Sequence, residues 1–206
     1  MNELTSGPKY AYRYCSEVLD RKLDDIALEV SLVLQAKKYR VFPVPANESE
    51  VAQNEFLFHR IVNDRPEPYL SIPRFEGALK AAFSHRMAAQ RAGLGWIGKS
   101  CSLVNPTVGP RLRLVTVLTD ACLPPDEPIE SLCGDCTLCV DACPIKAIKG
   151  IAWREKDPRE ARLDATACRD YLLRTREAFG KSVCGMCLAV CHWGKDSGDG
   201  TRRQAF

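Results

Sequence analysis

One run of residues constrains this chain more than any other: Cys133-x2-Cys136-x2-Cys139-x3-Cys143-Pro144. Three thiols two residues apart let a tight loop wrap three corners of a four-iron cubane, with its amide N–H groups turned toward the sulfurs. The fourth cysteine, before a proline, is expected to start a helix leading away and to serve a second cluster. A partner set follows at Cys168, Cys184, Cys187 and Cys191, with Cys184-x2-Cys187-x3-Cys191 repeating the second half of the first run. Fifteen residues separate Cys168 from Cys184. Crossed pairing assigns Cys133, Cys136, Cys139 and Cys191 to one [4Fe–4S] cluster, and Cys143, Cys168, Cys184 and Cys187 to the other. Zinc is the rival reading, but zinc sites favour paired CxxC hooks separated by a loop. A disulfide framework is the weaker rival for a chain with no visible secretory signal.

Three further cysteines, Cys15, Cys101 and Cys122, read as small buried apolar side chains. Cys101 is the one to watch, because it follows a glycine-rich turn. Among the histidines, His59 reads as structural and His85 as a packing or surface residue. His192 follows Cys191, where it either bonds to a cluster or sits solvated in a loop.

The rest of the composition is that of an ordinary globular protein. Apolar residues make up 46% and charged residues 27% of 206 residues, and the formal charge of +3 does not argue for nucleic acid or a membrane surface. No stretch approaches the ~18 apolar residues of a membrane span. The expected location is cytoplasmic.

Two regions are expected, residues 1–122 and 123–206, joined at the proline-rich Leu123–Pro128. In the first, a helix ending near Tyr39 places Ile26, Val30, Val33 and Leu34 on one face. Arg40–Val44 reads as a strand, and Glu76–Ala92 as a helix stopped by Gly93. Cys101–Val104 and Arg111–Thr119 read as two strands with a turn at Asn105–Pro110 between them. The class is α+β.

Gly93-Leu-Gly95-Trp-Ile-Gly98-Lys99-Ser100 fits two phosphate-binding patterns. Both need a strand before the glycines and a helix after them. Here a helix pattern precedes and a strand pattern follows, so the motif reads as a turn between helix and strand, and an ATPase reading is set aside.

Taken together, Arg91–Ser100, the strands after it, Cys133–Pro144, Leu163-Asp-Ala-Thr-Ala-Cys168-Arg-Asp-Tyr-Leu172 and the last cysteines resemble the epoxyqueuosine reductase family, itself related to the reductive dehalogenases. The resemblance covers residues 75 to 195 well and the earlier part weakly. It implies a small nitroreductase-like α/β domain that binds cobalamin, followed by a bacterial ferredoxin-like domain with two [4Fe–4S] clusters. It implies electrons passing from an external donor, such as a ferredoxin or flavodoxin, through the clusters to the cobalt, with a corrinoid or a tRNA-related substrate as partner. Carried over by position, Gly98, Lys99, Ser100 and Leu103 are the expected corrinoid-binding residues. The family's acid upstream of the glycine turn falls, counted without gaps, on Leu79, with Glu76 the nearest carboxylate. The alternative function is a two-cluster, ferredoxin-like electron-transfer protein delivering electrons to a partner enzyme or corrinoid protein.

Overall fold

Twenty-seven residues without a glycine or proline, Tyr10–Ala36, form helix α1. The structure, a computed structural model, describes residues 10–46, 83–124, 126–180 and 182–195. Strand β1 (Val41–Val44) follows α1, then α2 (His85–Arg91), β2 (Trp96–Ile97), β3 (Leu103–Val104) and β4 (Thr116–Thr119). The cysteine-rich part adds α3 (Leu138–Asp141), a 3-10 turn at Arg159–Ala161, α4 (Ala165–Phe179) and α5 (Met186–Ala189). Among the described residues no helix is long and apolar enough to cross a membrane.

Helix α1 packs on a two-stranded sheet of β1 and β4. The strands run antiparallel, with Val41 opposite Thr119 and Val44 opposite Thr116. The covered face of α1 is not the expected one. Ser16, Asp20, Ala27 and Ser31 are buried, while Ile26, Val30 and Val33 are exposed and only Leu34 of the expected row is partly covered. Small residues let the sheet come close, and polar ties fix the rotation. Asp20 takes a two-point hydrogen bond from Arg113, and Asp24 accepts the backbone N–H of Ala46 at 2.8 Å. Pro43 lies within β1, which a two-stranded edge tolerates.

The two strands expected to flank the Asn105 turn do not pair with each other. β3 pairs with β2, with Trp96 opposite Val104 and Ile97 opposite Leu103, whereas β4 pairs with β1. The tight turn lies earlier, where Gly98 N–H donates to Ser102 O and Cys101 N–H to Gly98 O, each at 2.9 Å. Asn105 does form its turn: its side-chain oxygen accepts the N–H groups of Thr107 and Val108.

Helix α2 is capped at Ser84, whose hydroxyl accepts the Met87 N–H, and the earlier part of the helix expected from Glu76 lies outside the described residues. Gly93, at φ +66°, stops it as expected, and β2 starts within three residues. No helix follows Lys99 and Ser100, so the order of elements is that of a helix-to-strand turn.

The helix expected after Cys143-Pro144 is absent. Lys146 takes a left-handed φ of +52° and turns the chain into a bridge between Ile148 and Leu163. The helix instead comes before, as α3. A longer one, α4, starts at Asp164, whose carboxylate accepts the Ala167 N–H at 2.9 Å, and stops at Gly180. The small apolar core here is Cys143, Ala147 and Ile148, packed by Val140, Ile145 and Leu163 together with three other thiols, Cys139, Cys168 and Cys187.

Candidate iron–sulfur centre

All eleven cysteines are free of disulfides. Cys101 is buried, but Cys15 and Cys122 are exposed, against expectation. Cys15 sits on the outer side of α1, beside the buried Ser16, and Cys122 stands where the chain leaves the sheet.

The eight later thiols fall into two neighbourhoods. Burial pushes Cys139 up to about 11, and the charges of Cys133, Cys136 and Cys191 push it the same way. Cys191 is raised by burial and by Cys133 and Cys136, with Arg111 opposing. Cys168 is raised by burial, then by Cys184, Cys143 and Asp164. Cys187 rises to about 12 by burial first, then by Cys184, Cys139, Cys168 and Cys143. Charges repel measurably only when close in a poorly screened place. Cys139 and Cys191 therefore each lie near Cys133 and Cys136, while Cys168 and Cys187 each lie near Cys143 and Cys184. Cys187 lies between the groups and also lines the small cavity around the first.

The amino-terminal region closes over that first group. The indole N–H of Trp96, a side chain only 1% exposed, donates to Cys133 Sγ at 3.4 Å. A Cβ built on Gly98 would stand 2.9 Å from Val104 Cγ2 and 3.4 Å from the same sulfur, so the glycine fits between the strand and the thiol. Lys99 donates to the carbonyls of Gly134 at 2.7 Å and Cys136 at 3.2 Å. Arg111 spreads its guanidinium over the carbonyls of Leu188, Cys191 and Trp193. Trp193 meets Trp96 edge-on at 5.0 Å, and its own indole N–H is buried without a partner beside the thiol-lined cavity.

These features fit a thiolate-bound iron–sulfur cluster. The donors are all sulfur, five of the thiols line one cavity, and the orphaned indole N–H belongs to Trp193, which lines the same cavity and which an anionic cluster there could satisfy. Among the described residues, no three His, Cys, Asp or Glu side chains are gathered closely enough for a single metal ion.

The four positions expected at a corrinoid lie as follows. Gly98, Lys99 and Ser100 line the thiol cavity, and Leu103 is 2% exposed in the core. His192 is exposed and also lines the cavity, tilted against Trp193 at 5.5 Å. His85 bridges strands: Nε2–H donates to Pro45 O and Nδ1 takes the Thr116 hydroxyl, each at 2.8 Å, the tautomer being the one a carbonyl acceptor requires. His59, Leu79 and Glu76 lie outside the described residues.

Sequence reading missed Trp96, Arg111 and Trp193. Trp96 was in view as a spacer of the glycine motif, and its indole donor was the only signal it carried.

The family model described as "4Fe-4S double cluster binding domain" matches residues 132–194. The chain is 36% identical to the epoxyqueuosine reductase of Bacillus anthracis over 119 residues, covering 52% of this chain and 29% of that protein. It is 36% identical to that of Vibrio cholerae over 126 residues, 56% of this chain and 32% of the relative. The solved structure of epoxyqueuosine reductase from Bacillus subtilis superposes with a TM-score of 0.52 at 25% identity, over 93% of this chain and 40% of that one. The chain thus spans less than a third of the length of these curated relatives. It is similar to the epoxyqueuosine reductases over about half of its own length, and its residues 132–194 match a 4Fe-4S double cluster binding domain.

Proposed function

We propose that this chain is an iron–sulfur oxidoreductase of the epoxyqueuosine reductase kind, in which two [4Fe–4S] clusters carry electrons toward a bound cobalamin. In this reading residues 1–122 are a corrinoid-binding region of nitroreductase-like type, and residues 123–206 are a two-cluster ferredoxin-like domain. Cys133, Cys136, Cys139 and Cys191 would hold one cluster, and Cys143, Cys168, Cys184 and Cys187 the other. Such clusters supply one-electron carriers at potentials that reach about −700 mV. The protein's own part is to hold and dry them. Lys99 and Arg111 pin the carbonyls of both loops that bear the first set, and Trp96 covers Cys133 from water.

A corrinoid, when bound, supplies a reducible cobalt. Ser100, partly covered on the turn after the glycines, is the one of the four expected positions neither tied to a cysteine loop nor shut in the core. An external one-electron donor such as a ferredoxin or flavodoxin is required. The relatives' name points to an epoxide as the substrate class. Reduced thiols of this number suit the cytoplasm.

What supports the reading above all is the gathering of eight thiols into two groups of four within the segment that matches a double-cluster domain. The test is anaerobic reconstitution with iron and sulfide, followed by a spectrum with and without added cobalamin. The expected result is about eight irons with matching sulfide, and a corrinoid that co-elutes with a changed cobalt spectrum. Cys133→Ser should lose about half the iron, and Cys101→Ser none. Zinc in place of iron would overturn the cluster reading, and a failure to retain corrinoid would overturn the cobalamin assignment.

A further inference from the structure

The two thiol groups share a chemistry but not an environment. The group of Cys133 and Cys191 is met by donors and cations from the amino-terminal region. The Trp96 indole N–H reaches Cys133 Sγ at 3.4 Å, and at 1% exposure no water competes for that proton. The Lys99 ammonium and the Arg111 guanidinium sit on the loop carbonyls of Cys136 and Cys191. The group of Cys143 and Cys168 has a backbone donor, the Ala147 N–H on Cys143 Sγ at 3.3 Å, and one turn before Cys168 stands the Asp164 carboxylate.

An added electron raises the negative charge on the sulfurs of a thiolate-bound cluster. A donor aimed at such a sulfur therefore stabilises the reduced form more than the oxidised one, and a nearby carboxylate does the reverse. We propose that Trp96, through its N–H···S hydrogen bond to Cys133, sets the potential of the cluster on that thiol group and makes it the easier of the two to reduce. The inference rests on the cluster reading given under Proposed function. The step is the uptake of one electron from an external low-potential donor; no protein bond forms or breaks, and the indole keeps its proton.

Trp96→Phe keeps a ring against Trp193 and removes the donor together with part of the buried ring. The reconstituted full-length protein is titrated with dithionite and followed by electron paramagnetic resonance. Two midpoints are expected in the parent, and in W96F the higher one should move to more negative potential while the other stays. Both midpoints unmoved, or both moved together, would overturn the proposal. Should W96F lose iron, the protein with both Trp153→Phe and Trp193→Phe, labelled with 15N-tryptophan so that Trp96 is its one indole, decides. Pulsed resonance on its more easily reduced cluster should show coupling to an indole nitrogen, and no coupling counts against Trp96. Protein with about eight irons and unmoved midpoints sinks this inference alone. A chain that takes up no iron sinks it together with the reading beneath it.

Discussion

Arg111 donates to the carbonyl of Cys191 at 3.1 Å across 80 positions of sequence. The same guanidinium holds the carbonyls of Leu188 at 3.2 Å and Trp193 at 2.5 Å, so one side chain caps the open end of α5 and fixes the turn that bears the last cysteine. Only a planar fork with several N–H groups can serve three carbonyls at once. Arg111→Lys should keep the charge and lose most of the geometry, at a cost of about 2 kcal/mol. Denaturant unfolding of the reconstituted protein reads that loss, and iron release to a chelator should quicken.

Gly109 and Gly194 interlock the Asn105 turn with that same end. A Cβ on Gly109 would fall 2.0 Å from Trp193 O, at a φ of +66°. Gly180 also has positive φ, +71°, but a Cβ there meets nothing within 4 Å. Gly180→Ala should therefore cost only the left-handed strain of about 1 kcal/mol. Gly109→Ala adds a backbone collision that nothing flexible can relieve, so it should cost several-fold more and lower the iron content. Equal unfolding midpoints for the two variants would refute the packing argument.

Much of the candidate centre was legible because its determinants are local. The x2 spacing of Cys133, Cys136 and Cys139 is a property of one short loop, and Gly93 as the stop of α2 is a property of one residue's φ. The start of α4 is equally local, since Asp164 is a capping residue followed by a helical run. What could not be read is pairing at long range. β4 has enough apolar residues to pair with β3, but it pairs with β1, and Asp120 just past its end takes both the backbone N–H and Nε of Arg40 at 2.8 Å. The face of α1 escaped for a related reason. Periodicity counts apolar residues, whereas the sheet covers Ser16, Asp20, Ala27 and Ser31 because they are small or hold a specific partner.

That partner makes a prediction of its own. Asp20 is 7% exposed at its side chain and Arg113 28%, and they meet at two points. Removing one member of a buried pair leaves the other charge stranded, at a cost of about 3 kcal/mol or more. Asp20→Ala should approach that figure in urea unfolding. If it unfolds like the parent, the α1–sheet contact is not held by this pair.

The metal-free fold should weaken in alkali. Folded, Cys139 and Cys187 keep their protons to about 11 and about 12, against 9.0 for a free thiol, because burial and neighbouring thiolates penalise the charged form. Above pH 9 an unfolded chain sheds these protons while the folded one retains them, so deprotonation favours unfolding. The stability these two thiols contribute is full below pH 9 and is lost as pH rises through the folded values. The urea midpoint of the metal-free, thiol-reduced protein should accordingly hold steady below pH 9 and fall as the pH rises from about 9 to about 11. Cys187→Ser removes one of the two titrating groups and should flatten that fall. A midpoint independent of pH over this range would show that the thiols are not held buried together before iron arrives.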